Sequence, residues 1–387
     1  MKTEKLYDID SHLCEFDAAV LSCEASKGGY KIMLDKTAFF PEGGGQASDR
    51  GTLDTAEVVD VQIENGEIYH YCDKALEVGG VVRGKLDFAR RHTFMQNHTG
   101  EHIVSGILHK LYGFSNVGFH LGEEFATLDF NGELTREQLD EVEYLANLKV
   151  WQNLPVRSWV PSQEELPQTS YRSKKQLHWP VRIVEIPGVD SCACCGVHVD
   201  NTGEIGLIKL FSCVKFHQGV RIEMACGGRA LAILNQIYDQ NRQVSQAFSA
   251  KMDATGEAAR SMNQRLAETE YRCAALERRI WDATAAAYAG KGNALHFDPE
   301  LTPLGVRELA DRIAQQCGGT AAVVGGRENF SICLVNKSED VKELGAALKA
   351  SLNARGGGKS GIFQGTIPAQ KDEILAFFRD WYVDSLS

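Results

Sequence analysis

Residues 90–106 read RRHTFMQNHTGEHIVSG and place His98 and His102 four residues apart, in a run with the periodicity of a helix entering a core. Four residues is about one helical turn, so both imidazoles leave the same face and can close on one cation. A second stretch, CACCGVHVDNTGEIG over 192–206, offers Cys194 and His198 at C-x-x-x-H spacing. Neutral imidazole and thiolate suit zinc, and two such pairs gathered by the fold make a four-atom nitrogen and sulfur set. Either half alone also fits satisfied or exposed side chains. Together they favour a metal, because thiols in a reducing compartment are better explained by a metal than by disulfides. Cys192, Cys194 and Cys195 all lie close to His198, and the residues alone leave open which thiol is the ligand.

Bulk composition sets the frame. With 387 residues, 43% hydrophobic and 24% charged, the chain is an ordinary globular composition long enough for two or three domains. No apolar run approaches the roughly 18 residues of a membrane span, and the first twenty residues lack a signal-peptide core, so no membrane partner and a cytoplasmic location are expected. Eleven cysteines, an odd and mostly scattered set, argue against a secreted disulfide framework. A net charge of −11 opposes general nucleic-acid binding, since phosphate neutralisation needs Lys and Arg. Any RNA surface must then be local: Arg90 with Arg91, Arg172 with Lys174 and Lys175, Lys209 with Lys215 and Arg221, or Arg355 with Lys359. Each cluster also reads as a solvated face.

Before the histidine helix, the runs GGYKIML, TAEVVDVQI, GEIYHYC and GGVVRGKL alternate between turn signals, which predicts a small antiparallel barrel or twisted sheet. Among them sits the loop DKTAFFPEGGGQASDRG over 35–51, whose three glycines permit unusual backbone angles and close approach. After the helix, strands are expected at GFHLGEEFATLDF, PVRSWVP, PVRIVEI, IGLIKLFSCVKF and GVRIEMACG, with an amphipathic helix at TREQLDEVEYLANLKVWQNL. From about Arg229 to Ala289 two helices broken near Asp253–Gly256 suggest an antiparallel hairpin or coiled-coil arm, with Met262, Leu266, Cys273, Leu276, Ile280 and Ala287 as its seam. The last hundred residues alternate helix, strand, strand, helix, then reach RGGGKSGIFQGTIP. That glycine run follows a helix, so it fails the context of a dinucleotide-binding motif.

In this order and these surroundings the motifs resemble the editing domain of alanyl-tRNA synthetase and its free-standing relatives, the AlaX proteins. His98, His102, Cys194 and His198 stand at the family's positions, followed by Val199, Thr202, Ile205 and Gly206. Val197 and Cys195 depart from it, where threonine and glycine are usual. The 35–51 loop resembles the family's glycine-rich motif through Thr37, Phe39, Phe40, Gly43, Gly44, Gly45 and Gln46. The C-terminal region resembles the DHH-associated domain, whose glycine loop lies near nucleic acid or phosphate, here Arg355, Gly356, Gly357, Gly358 and Lys359.

The resemblance implies an α+β fold in four parts. These are a β-barrel with the glycine motif (1–89), an α+β editing domain with one Zn2+ (90–227), a helical arm (228–291) and an α/β DHH-associated domain that binds tRNA (292–387). It implies a zinc-dependent hydrolase that deacylates Ser-tRNA(Ala), and also Gly-tRNA(Ala). Thr37 and Gln46 would read the serine hydroxyl and orient the ester or water, and Phe39, Phe40 and Gly43–Gly45 would wall the substrate. Only 97 residues precede His98, and they read as the editing domain's own β part, so aminoacylation is not expected. Dimerisation through the arm or the last domain is also implied. Two other readings stay open: a non-catalytic zinc-stabilised RNA-binding module, and a metal hydrolase of a small ester.

Overall fold

The computed structural model describes residues 3–173 and 177–384. Lys174 and Lys175, named above as part of a basic cluster, lie outside the described residues. The chain forms two compact units, Met1–Val244 and Ser245–Ser387. Among the described residues no helix is long and apolar enough to cross a membrane.

In the first unit six strands, Glu15–Ser26, Gly29–Leu34, Gly51–Leu53, Ala56–Glu64, Glu67–Cys72 and Val81–Leu86, close into a barrel. Burial alternates residue by residue along Glu67–Cys72 and Val81–Leu86, as the two-residue period of a half-buried strand requires. The sequence had signalled four of the six. Glu15–Ser26 and the three-residue Gly51–Leu53 escaped it because their pattern is too short or too mixed to stand out. Gly84 makes room for a core ring, since a Cβ there would meet the edge of Phe16 at 2.4 Å.

Asp87 caps the next element by accepting a hydrogen bond from the Arg90 amide, and Gly113 ends it at φ 71°. The helix between them, Phe88–Tyr112, is buried from Phe94 almost continuously to Leu108. Its close neighbours explain the small residues on it: a Cβ on Gly100 would meet Cys226 Sγ at 2.4 Å, and one on Gly106 the Val189 carbonyl at 2.5 Å. A four-stranded sheet runs in the order Ile208–Phe216, Gly219–Cys226, Ala126–Phe130, Asn116–Leu121. The Arg136–Trp151 helix, started by a Thr135/Gln138 capping box, packs on both this sheet and the long helix. A smaller sheet, Arg157–Trp159, Ile183–Ile186 and Asp190–Ala193, delivers the cysteine cluster beside the helix. Barrel, helix and sheet share one hydrophobic core.

The helix Gly227–Phe248 runs past the end of the first unit at Val244, and Thr255–Ala286 follows after a break at 249–254, next to the one expected near Asp253–Gly256. The expected seam is exposed: Met262, Leu266, Leu276 and Ile280 face solvent, and only the end of the helix, through Trp281 and Ala285, joins a core. The second unit's sheet runs Gly292–Asp298, Gly318–Gly325, Phe330–Val335, Ile362–Ile367, Arg355–Gly357. Alternation splits its residues between two faces. Ala321, Val323, Cys333 and Val335 meet the Pro303–Cys317 helix, while Ala322, Val324, Ile332 and Leu334 meet helices Lys342–Leu352 and Lys371–Asp384. The Lys342–Leu352 helix is capped at Asn353, φ 51°, and the glycine run that follows is an edge strand and turn rather than a loop extending the helix.

Candidate metal centre and catalytic cavity

One ligand atom from each of His98, His102, Cys194 and His198 lies within 4.8 Å of the other three. Cys194 Sγ is 3.4 Å from Nε2 of His98 and 3.4 Å from Nε2 of His198. A tetrahedral ion with legs of about 2.0–2.3 Å has edges of about 3.3–3.8 Å, so the two sulfur–nitrogen spacings are those of a metal cage. Among the three neighbouring thiols it is Cys194 that enters the cluster, while Cys195 is exposed.

The far side of each imidazole is also accounted for. His98 Nδ1 is 2.9 Å from Gln46 Oε1, His198 Nδ1 is 3.1 Å from Thr99 Oγ1, and His102 Nδ1 faces Asp190 Oδ2 at 3.2 Å. The acceptors beside Nδ1 of His98 and His198 favour the tautomer whose Nε2 lone pair points at Cys194 Sγ, and Asp190 orients the His102 ring by charge. Thr99 can play this part because its hydroxyl proton goes to the Met95 carbonyl, 2.8 Å away. Asp190 is fixed in turn by the two guanidinium bonds of Arg172, at 2.7 and 2.8 Å.

Electrostatics follow the same plan. Burial opposes ionisation of Cys194, but His98 and His198, with hydrogen bonds from His102 and His198, outweigh it and hold the thiol well below its ordinary range. Burial pushes His198 down to about 3. Burial also works against protonation of His102, yet the bond to Asp190 and the nearby Cys194 sulfur raise it well above its usual value. Asp190 is itself drawn down to about 2, its burial overcome by His102 and Arg172. A thiolate beside nitrogen donors is the composition a soft-to-borderline divalent ion selects.

The cluster opens on a cavity of about 700 Å³, lined by Gly44, Glu101, Asn116, Phe119, Arg172 and Arg182 among others. The glycine loop is tied to it at two points. A Cβ on Gly45, φ 88°, would lie 2.5 Å from the Phe119 carbonyl, and Gly43 bridges Gln46 to shape the turn that presents its amide. Gly196, which the motif reading passed over, is needed as well, because a Cβ there would strike the His98 ring at 2.2 Å.

Other expected site residues lie elsewhere. Phe39 and Phe40 do not wall the cavity: both are buried in the barrel, edge-on to Phe16, His70 and Tyr7. The two residues follow the Lys36–Thr37 strand in an irregular segment, which lets both rings enter the core, where ring area contributes most. Thr37 is fully buried, with Oγ1 2.8 Å from His70 Nε2, and does not line the cavity. Arg91 is no part of a basic surface. It is fully buried, paired with Asp49, and donates to the Ala38 and Ser11 carbonyls, which clamps the glycine loop onto the long helix. Lys209, Lys215 and Arg221 are likewise paired, with Glu143, Glu133 and Asp129. In the second unit Arg355–Lys359 is exposed, and Gly357, Gly358 and Lys359 line a cavity of about 310 Å³ with Lys342 and Lys349.

Comparison with known proteins bears on this arrangement. Residues 181–229, with Cys194 and His198, match the threonyl and alanyl tRNA synthetase second additional domain, and residues 11–90 match the class II (A) tRNA synthetases. The chain is 29% identical to alanyl-tRNA editing protein AlaX-L of Pyrococcus horikoshii, over 96% of each chain. The chain resembles the alanyl-tRNA editing proteins over nearly its whole length. Alanyl-tRNA editing protein Aarsd1 of Mus musculus is similarly related, at 27% identity over 96% of both. The alanine–tRNA ligase of Thermofilum pendens is 31% identical over 96% of this chain, which spans 43% of that ligase.

Proposed function

We propose that the chain is a trans-editing hydrolase that deacylates Ser-tRNA(Ala), and with it Gly-tRNA(Ala), without charging tRNA. The observation that carries this is the convergence of three imidazole nitrogens and one sulfur at the head of a cavity, in a chain related to editing proteins along nearly its full extent. The need for such an activity is energetic. A pocket built for alanine cannot exclude glycine and rejects serine by only about 1–3 kcal/mol, so a second site must remove what the first admits.

Zinc, one per chain, is the ion that the three imidazoles and one thiolate favour. With three of these residues bound and one position left to water or substrate, such an ion would polarise the ester carbonyl and acidify a water; with all four bound it would serve to hold and position. The protein's own groups do the rest. Gln46 holds the His98 ring through Oε1, and its buried Nε2 has no partner, leaving an N–H donor beside the centre for the ester or an attacking water. Thr37 shares its hydroxyl with His70, and a part in reading serine would require His70 to yield it. The Gly356–Lys359 turn, with Lys342 and Lys349 around its cavity, is assigned to tRNA phosphate. Dimerisation through the exposed Met262, Leu266, Leu276 and Ile280 belongs to the same reading.

The test is a deacylation assay on Ser-tRNA(Ala), Gly-tRNA(Ala) and Ala-tRNA(Ala), with and without chelator, alongside a free serine ester. Chelator-sensitive loss of the first two, with Ala-tRNA(Ala) intact, is expected. A chain that leaves every substrate unchanged is a binding module. One that cleaves the free ester as well as the tRNA ester is a small-ester hydrolase.

A further inference from the structure

The long helix carries an ionisable group that the metal cluster does not use. Glu101 stands next to His102 and lines the same cavity, although only 6% of it is exposed. Its Oε1 accepts from Ser105 Oγ at 2.6 Å and from Asn116 Nδ2 at 2.6 Å, so the carboxylate is fixed in place. The other oxygen, Oε2, is 3.9 Å from His102 Nε2, on the side of the cluster. The network also fixes the Asn116 amide. Because Nδ2 serves the carboxylate and Ser105, Oδ1 is the acceptor left over, buried and without a partner.

Among the described residues Glu101 is the one carboxylate lining this cavity. The lining cation Arg172 is engaged by Asp190, and Arg182 donates to the carbonyls of Cys194 and Gly196. A buried carboxylate with one oxygen unfilled asks for a donor, best of all a charged one. The substrate class of the proposed reaction brings such a group, since an aminoacyl ester carries an ammonium on the carbon next to its carbonyl. An ammonium has three N–H donors and no acceptor, Asn116 Oδ1 is an acceptor without a donor, and Glu101 Oε2 has His102 Nε2 near it only at 3.9 Å, beyond hydrogen-bond length.

Building on the editing reading above, we propose that Glu101 anchors the α-ammonium of the aminoacyl ester, with the ester carbonyl toward the His98, His102, Cys194 and His198 cluster, and so determines specificity for a free amino group. Ser105 and Asn116 are positioning residues for it. N-acylated and deaminated acyl esters are then rejected at this cavity whatever their side chain.

The experiment measures binding of two non-hydrolysable adenosine 3′-amides to the zinc-loaded full chain. One carries a seryl group, the other a 3-hydroxypropanoyl group that differs only in lacking the amine. Wild type should prefer the seryl amide by about tenfold or more, as a charge-assisted contact requires. Glu101→Gln should bring the ratio close to one with zinc content unchanged, and Glu101→Asp should fall between. A preference that survives in E101Q overturns the proposal, even where deacylation is lost, because Glu101 would then serve proton transfer or His102 alone. Should E101Q not fold, wild type decides: equal binding of the seryl amide and its N-acetyl derivative overturns it too. Wild type that ignores both amides and leaves Ser-tRNA(Ala) intact sinks the editing reading. Wild type that deacylates Ser-tRNA(Ala) yet is indifferent to the amine sinks this inference alone.

Discussion

Gln46 Oε1 meets His98 Nδ1 at 2.9 Å, joining a loop of the barrel to the helix that carries the metal-ligand pair. The contact fixes both partners. It sets the His98 tautomer, and it leaves the amide's Nε2 buried without a partner. Gln46→Ala should therefore lower zinc affinity about 10–100-fold, the range for removing such a supporting bond. Asp190→Asn, which weakens the support behind His102, should do the same. Competition with a chromogenic chelator measures both, and unchanged affinity would show that the imidazoles hold their orientation without these bonds.

The three clustered thiols should separate cleanly. Cys194→Ser should lose stoichiometric zinc and deacylation together, because its sulfur is the one 3.4 Å from two imidazoles. Cys195→Ser, exposed and outside the cage, should keep both. Metal analysis of the purified variants reads the result directly.

Burial at His70 makes a pH prediction. The imidazole is fully buried, which depresses it to about 4 from an ordinary 6.5, and it is held between Thr37 and the Ile32 carbonyl. Its contribution is complete above pH 6.5. As pH falls, the unfolded chain takes up the proton first, so stability drops between about 6.5 and 4, by about 3 kcal/mol at 1.36 kcal/mol per pKa unit. Denaturant titrations across this window should show the fall, and His70→Gln should flatten that part of the profile. An unaltered slope in the variant would assign the effect to other groups.

Phe39→Ala should act on stability rather than on substrate choice. The ring is wholly enclosed between Phe16 and His70, and its removal should cost about 3–5 kcal/mol. A change in the serine-to-glycine deacylation ratio, in protein that remains folded, would restore Phe39 to the substrate wall.

Much of the fold was legible because it rests on local spacing. The two-residue alternation of Val81–Leu86 and the 3.6-residue rhythm of Arg136–Trp151 are properties of the strand and the helix themselves, and both elements stand where the pattern put them. The same holds for His98 and His102, which share a helix face whatever surrounds them. Glu101 sat inside the quoted motif and was passed over, since a carboxylate on a helix is ordinarily a solvated one, and only its burial marks it.

The sequence by itself determined the pairings within each motif: two imidazoles one helical turn apart, and a thiol and an imidazole at the end of a strand. Tertiary structure decided the rest. It brought residue 98 against residue 194, chose Cys194 from its neighbours, sent Phe39 and Phe40 into the barrel, and buried Arg91 against Asp49. The physical reason is that burial and charge pairing depend on contacts between segments far apart in the chain. No spacing along a single segment encodes which of its faces will be covered, or by what.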